Sequence, residues 1–187
     1  VLEETGRAGD TLVLFTSDNG AHWLPDEAGE TGHHANGHWR GMKSDAFEGG
    51  HRVPFLARWP GVIRPGSTTG ALIGLNDLFA TVSEAAGLTV PPGAAEDSVS
   101  FLPVLRGESP GVRDALVLHS INGTFALRQR DWKLIEANDS GGWTKAAVGT
   151  PAQLYHLRDD PGETNNLAAT EPERLRELLA NLATLKR

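Results

Sequence analysis

Thr11-Leu12-Val13-Leu14-Phe15-Thr16 runs directly into Ser17-Asp18-Asn19-Gly20, and the fold reading turns on that junction. A short apolar and β-branched run with no polar alternation suits a strand buried on both faces of a mostly parallel sheet. Its polar residues are delivered together at the carboxyl end, the edge where open α/β sheets hold ligands. From Ala21 to Gly41 the chain is rich in Gly, His and acidic residues and has no apolar period. That predicts a long loop, and long loops in compact domains are often functional. Val53 to Trp59 reads as a second buried strand, closed by the turn Pro60-Gly61.

Further out, Leu75, Leu78, Phe79, Val82 and Ala86 recur at helical spacing within Leu72–Ala86, and Gly87 supplies a stop. A helix lying on the sheet is expected there. Leu88 to Gly111 is broken by Pro and Gly and reads as a connection between subdomains. The expected division is therefore 1–110, part of an α/β core, and 111–187, a small second unit. In that second unit Ala115–Ser120, Thr124–Arg128, Trp132–Glu136 and Gln153–Leu157 are strand-like runs with turn signals between them, the pattern of an antiparallel meander. Leu175, Leu178, Leu179, Leu182 and Leu185 then share one face of an amphipathic helix over Pro172–Arg187 that covers the small sheet.

The chain has 187 residues, of which 39% are hydrophobic and 22% charged, the balance of a globular protein and not of a disordered or spanning one. No apolar run approaches the ~20 residues needed to cross a bilayer. Acidic residues outnumber basic ones 24 to 17, for a net charge of -7, and the basic ones are scattered, which argues against nucleic acid. With no Cys, thiolate zinc sites, disulfides and cysteine nucleophiles are excluded within these residues. Val1 to Asp10 lacks an initiator Met and the basic-then-apolar layout of a signal, so the expectation is a chain that begins inside a larger protein.

Asp18 and Asn19 offer a carboxylate and an amide oxygen side by side. Oxygen-only donors suit a hard divalent cation such as calcium or magnesium better than zinc, although Asp-Asn-Gly is equally ordinary turn chemistry. Lys43, in Arg40-Gly41-Met42-Lys43-Ser44, could grip an oxyanion and offset charge on a leaving oxygen; a lone loop lysine is also commonly just solvated. Glu48 and Arg52 stand four residues apart across two glycines, which permits an ion pair that braces the loop. His22, His33, His34, His38 and His51 crowd this region, but no zinc signature accompanies them, and their roles stay open. Neither a G-x-S-x-G elbow nor a P-loop is present.

The specific feature is a combination in fixed order. Phe15-Thr16-Ser17-Asp18-Asn19-Gly20 is followed by Gly41-Met42-Lys43, by Phe47-Glu48-Gly49-Gly50-His51-Arg52-Val53-Pro54 and by Arg58-Trp59-Pro60-Gly61. Asn76-Asp77-Leu78, Asp97-Ser98-Val99-Ser100-Phe101-Leu102-Pro103, Trp132-Lys133-Leu134 and the run from Leu154 to Leu167 extend it. Over essentially its whole length the chain resembles the C-terminal portion of the arylsulfatase family. The resemblance implies an α/β fold: the C-terminal part of an alkaline-phosphatase-like mixed sheet, followed by a small α+β subdomain with a four-stranded antiparallel sheet and a C-terminal helix.

On that resemblance Asp18 and Asn19 correspond to the later pair of calcium ligands, and Lys43 to the lysine that contacts the sulfate group. His51 stands where the family more often has a small apolar residue. The family's nucleophile is a formylglycine made within a Cys/Ser-x-Pro-x-Arg motif near the amino end, and this chain has no such motif. The resemblance thus implies a fragment of a sulfuric ester hydrolase, inactive alone, whose partners are a sugar, steroid or aryl sulfate ester and the missing N-terminal half. A related phosphoester or phosphonate hydrolase is the alternative within the superfamily, since fold does not fix substrate; a non-catalytic sulfatase-like binding module is the alternative outside it. Family members are often secreted, periplasmic or lysosomal.

Overall fold

The computed structural model describes residues 1–22, 29–145 and 151–186, and the chain divides into two compact units. The first comprises residues 1–16 and 54–116, the second residues 17–53 and 117–187. The loop after the first strand thus groups with the C-terminal strands, an association across many residues that a boundary read along the chain cannot express.

In the first unit a 3-10 turn, Ala8–Asp10, leads into β1 (Val13–Thr16). It pairs antiparallel with β2 (Phe55–Arg58), from Val13 opposite Arg58 to Thr16 opposite Phe55. The sequence predicts burial on both faces, and here the outcome differs. Exposure alternates along each strand, with Phe15 61% and Leu56 62% exposed. Phe15 stands opposite Leu56 in the ladder, so the two share the face of the ribbon that lacks cover, and among the described residues each strand has a single ladder partner.

Helix α2 spans Asp77–Ala85, shorter than the expected Leu72–Ala86. The buried Asp77 carboxylate sets its start by accepting from Gly74 N–H at 2.8 Å, which folds the preceding residues into a turn, and Gly87 follows its end with φ 69°. The face that packs inward is polar. Asp77 also accepts from Val99 N–H at 2.8 Å and pairs with Arg113, while Thr81 Oγ1 accepts from Phe101 N–H at 3.0 Å. Phe79 and Val82, expected on the apolar face, are 52% and 48% exposed. These bonds tie α2 to the segment that ends in the short helix α3 (Leu102–Leu105), and Phe101 meets Phe55 edge-on with ring centroids 5.6 Å apart.

The second unit contains β3 (Ala115–His119) from Val117 onward, β4 (Phe125–Gln129), β5 (Trp132–Ile135) and β6 (Gln153–His156) in the order β3-β4-β5-β6. β4 and β5 pair antiparallel, as do β5 and β6, so the predicted meander is present within a residue or two of its expected bounds. Helix α4 (Pro172–Leu185) packs on β4 and β5 through the buried Leu178 and Leu182. Leu185, at its last turn, is 49% exposed instead of sharing that face.

The core on the loop side of the sheet joins Ala126, Ile135, Tyr155 and Leu157 to Ala46 and Phe47. Phe47 immediately precedes α1 (Glu48–His51), so the sheet's apolar face fixes the loop that carries the candidate site. No helix among the described residues is long and apolar enough to cross a membrane.

Candidate active site

The Asp18-Asn19 turn is closed by Ser17 Oγ, which donates to the Asn19 carbonyl at 2.9 Å. Gly20 then donates its N–H to Gly50 O at 3.0 Å, and a Cβ at position 20 would collide with the Gly49 carbonyl. Gly49 in turn donates to Arg40 O at 2.7 Å, and a Cβ there would lie 2.6 Å from that same oxygen. Glycine is required because three backbone segments meet with no room for side chains.

Asn36 completes the joint. Its Oδ1 accepts from Ala21 N–H at 2.9 Å, and its Nδ2 donates to the carbonyls of Ala21 and Gly41, each at 3.1 Å. Lys43 N–H also donates to Ala21 O at 3.1 Å. The structure therefore brings the Asp18-Asn19 turn and Lys43 together at the level of the backbone. Asp18 and Lys43 are exposed and Asn19 half-buried. Among the described residues none of these three side chains has a hydrogen-bond or ion-pair partner.

Two residues after Lys43, Asp45 is fully buried. Its Oδ1 accepts from Ser140 Oγ at 2.8 Å and from the N–H groups of Trp143 and Thr144 at 2.7 and 3.0 Å. Its Oδ2 accepts from Met42 N–H at 2.9 Å and Thr144 Oγ1 at 2.5 Å. A carboxylate with both oxygens satisfied fastens the loop that follows β5 to the segment that bears Lys43. Ala46 N–H to Ser140 O at 2.8 Å and Ile121 N–H to Ser44 O at 3.0 Å add to the join.

The next anchor is ionic. Glu48 Oε1 meets Lys133 Nζ at 3.0 Å, and Oε2 meets Arg52 at 3.0 Å and Arg128 at 3.3 Å. The Glu48–Arg52 pair expected from the sequence is thus one edge of a larger cluster. Lys133, fully buried, also contacts Glu163 at 3.2 Å, and Glu163 Oε2 accepts from Glu48 N–H at 2.6 Å. Burial works to raise the Glu48 carboxyl, but Lys133 and Arg128 overcome it and hold its pKa at about 2. For Glu163 the balance falls the other way: burial pushes its pKa up against the pull of Lys133. His51 is pushed down to about 4 by burial first and by Lys133 second, which keeps its imidazole neutral at ordinary pH.

Asp45, Glu163 and Lys133 carry much of this geometry, and the motifs did not single out their roles. The one local signal was Lys133 within the otherwise apolar Trp132-Lys133-Leu134-Ile135, where a strand lysine facing inward demands a carboxylate partner. The histidines do not converge: among the described residues no three of His, Cys, Asp and Glu form a group able to hold a metal. His22 stands beside Trp143 with ring centroids 6.0 Å apart, and the His38 ring lies 4.1 Å from that of Trp39, tilted by 41°.

Comparison with known proteins bears on what such a site does. The family described as Sulfatase matches residues 1–88. An N-acetylgalactosamine-6-O-sulfatase of Bacteroides thetaiotaomicron is 37% identical over 99% of this chain and 38% of its own length. The steryl-sulfatase of Mus musculus is 34% identical over 95% of this chain and 32% of its own. A solved structure from a glycosaminoglycan-metabolism locus of Bacteroides thetaiotaomicron superposes with a TM-score of 0.86 at 36% identity, covering 99% of this chain and 40% of that one. These matches define the fold class as a mixed α/β sheet of the alkaline-phosphatase-like type, with a small four-stranded sheet and a C-terminal helix. Within that class the chain matches the arylsulfatase/sulfatase superfamily in sequence and in structure. It spans about 38% of the length of the first of these relatives.

Proposed function

We propose that this chain is the C-terminal part of an enzyme that hydrolyses sulfate esters. One observation carries the proposal: the Asp18-Asn19 turn and Lys43 sit on backbone segments bonded directly to each other, while the three side chains remain uncommitted among the described residues. An exposed ammonium on a segment bonded to the one that carries two hard oxygen donors is an arrangement that a cation and a tetrahedral anion would share.

Calcium fits the donor chemistry of Asp18 and Asn19, although it takes ~6–8 oxygens and these two supply a minority of them. The remaining ligands, and the formylglycine nucleophile, belong in this proposal to the further length that the relatives possess. A bound calcium would supply a Lewis acid toward the sulfate oxygens. Lys43 would bind the sulfate group and offset charge as it develops on the ester oxygen. Asp45 and the Glu48–Lys133–Glu163 cluster would hold that lysine's loop in register, because preorganised groups stabilise charge without reorganising during the reaction. Alone, the chain would be catalytically silent.

The substrate class we favour is a sulfated amino sugar, on the strength of the 37% identity that spans 99% of the chain. The test is to assay an intact protein carrying this chain with a sulfated N-acetylgalactosamine, an aryl sulfate and an aryl phosphate. Turnover of the sulfate esters is the expected result; turnover of the phosphate alone would assign the protein to the phosphoester branch, and turnover of none would leave a binding module.

A further inference from the structure

Trp143 is 58% exposed, yet its backbone is bonded to a buried carboxylate. Its N–H donates to the buried Asp45 at 2.7 Å, Gly142 N–H donates to Ser140 Oγ at 3.0 Å, and Gly141 adopts φ 63°. A Cβ at Gly142 would lie 2.6 Å from Ser44 O, so the backbone at 142 lies flat against residue 44. Trp143 and Lys43 are the chain neighbours of that contacting pair. The Trp143 ring also lies 6.0 Å from the His22 ring, tilted by 42°, and His22 follows Ala21, whose carbonyl receives the Lys43 N–H at 3.1 Å.

An aromatic ring left open to water on a backbone fixed by hydrogen bonds has met part of its ordering cost before any ligand arrives. We propose that Trp143 and His22 form the wall that receives the sugar ring of the substrate, next to the sulfate position served by Lys43. This deepens the proposed function and rests on it. The apolar C–H face of a pyranose suits the indole face, the imidazole nitrogens of His22 suit ring hydroxyls, and the Lys43 ammonium suits the sulfate charge. Trp143 on this account selects the ring that carries the ester and leaves the bond-breaking step to other groups.

The two claims separate in one experiment on an intact protein carrying this chain. Wild type, Trp143→Ala and Trp143→Phe are compared for hydrolysis of 6-O-sulfated N-acetylgalactosamine and for inhibition by inorganic sulfate, which has no ring to stack. The expected result for Trp143→Ala is a KM raised ~10-fold with kcat within ~3-fold, the loss of a contact worth about 1.4 kcal/mol in binding. The sulfate inhibition constant stays unchanged and Trp143→Phe restores most of the KM. An unchanged KM in Trp143→Ala overturns the inference while the sulfatase reading stands. A parallel rise in the sulfate inhibition constant also overturns it, by showing that the loop and not the ring contact was lost. Absence of turnover in wild type removes both.

Discussion

Lys43 has no stabilising partner among the described residues, and its worth is therefore expected in function and not in folding. Lys43→Ala and Asp18→Ala in the intact enzyme should each lower sulfate-ester turnover by ~10²–10³, the usual loss for one oxyanion-stabilising group. Thermal melting should move little in either variant, and near-normal steady-state rates would remove these residues from the site. His51 behaves in the opposite sense. Its imidazole takes up a proton near pH 6.5 when unfolded but only near pH 4 in the folded chain, so acidification between those values favours the unfolded state. Stability should fall over that window by on the order of 2 kcal/mol. His51→Val should flatten the decline, leaving the further loss that begins below pH 4.5 as the Glu48 carboxyl, held at about 2 in the fold, gives up its pairing with Lys133 and Arg128. Denaturant melts at half-unit pH steps would show both, and an unchanged profile in the variant would refute the assignment to His51.

Among the elements, the segment from Arg40 to Arg52 depends on the four-stranded sheet more than on its own sequence. Asp45→Ala leaves the donors of Ser140, Met42, Trp143 and Thr144 facing an empty site, which should cost about 3 kcal/mol or more. The signature in a hydrogen-exchange measurement would be loss of protection at Met42, Trp143 and Thr144 together; retained protection would show that the carboxylate is not the join. Leu182→Ala, which truncates a side chain 1% exposed where α4 meets the sheet, should cost about 2–5 kcal/mol by cavity formation. The meander and α4 were legible because alternating or heptad-like apolar spacing acts within a few residues. The α2 start was not, since Asp77 bonds to Gly74 and Val99 instead of presenting the apolar face that the periodicity suggested. The exposed face of β1 and β2 escaped for a related reason: an apolar run shows that a strand seeks cover, not what covers it.

At the scale of the molecule, the first unit leaves Phe15, Leu56, Phe79 and Val82 each about half exposed or more. We propose that the additional length present in the relatives covers them. The chain produced alone should then bind a fluorescent apolar dye strongly and tend to self-associate, whereas an intact protein carrying it should do neither. Equal dye binding by the two would show that these side chains are ordinary surface. The sequence by itself determined the second unit's strands and helix, the order of the motif residues and the chemical type of Asp18, Asn19 and Lys43, because periodicity and side-chain chemistry are local properties. Only the tertiary structure decided that Ala21 bonds to Lys43, that Asp45 fastens the loop after β5, and that Lys133 lies between Glu48 and Glu163. Those contacts join residues 22 to 99 positions apart, and a buried charge finds its partner through the packing of the whole unit, not through spacing along the chain.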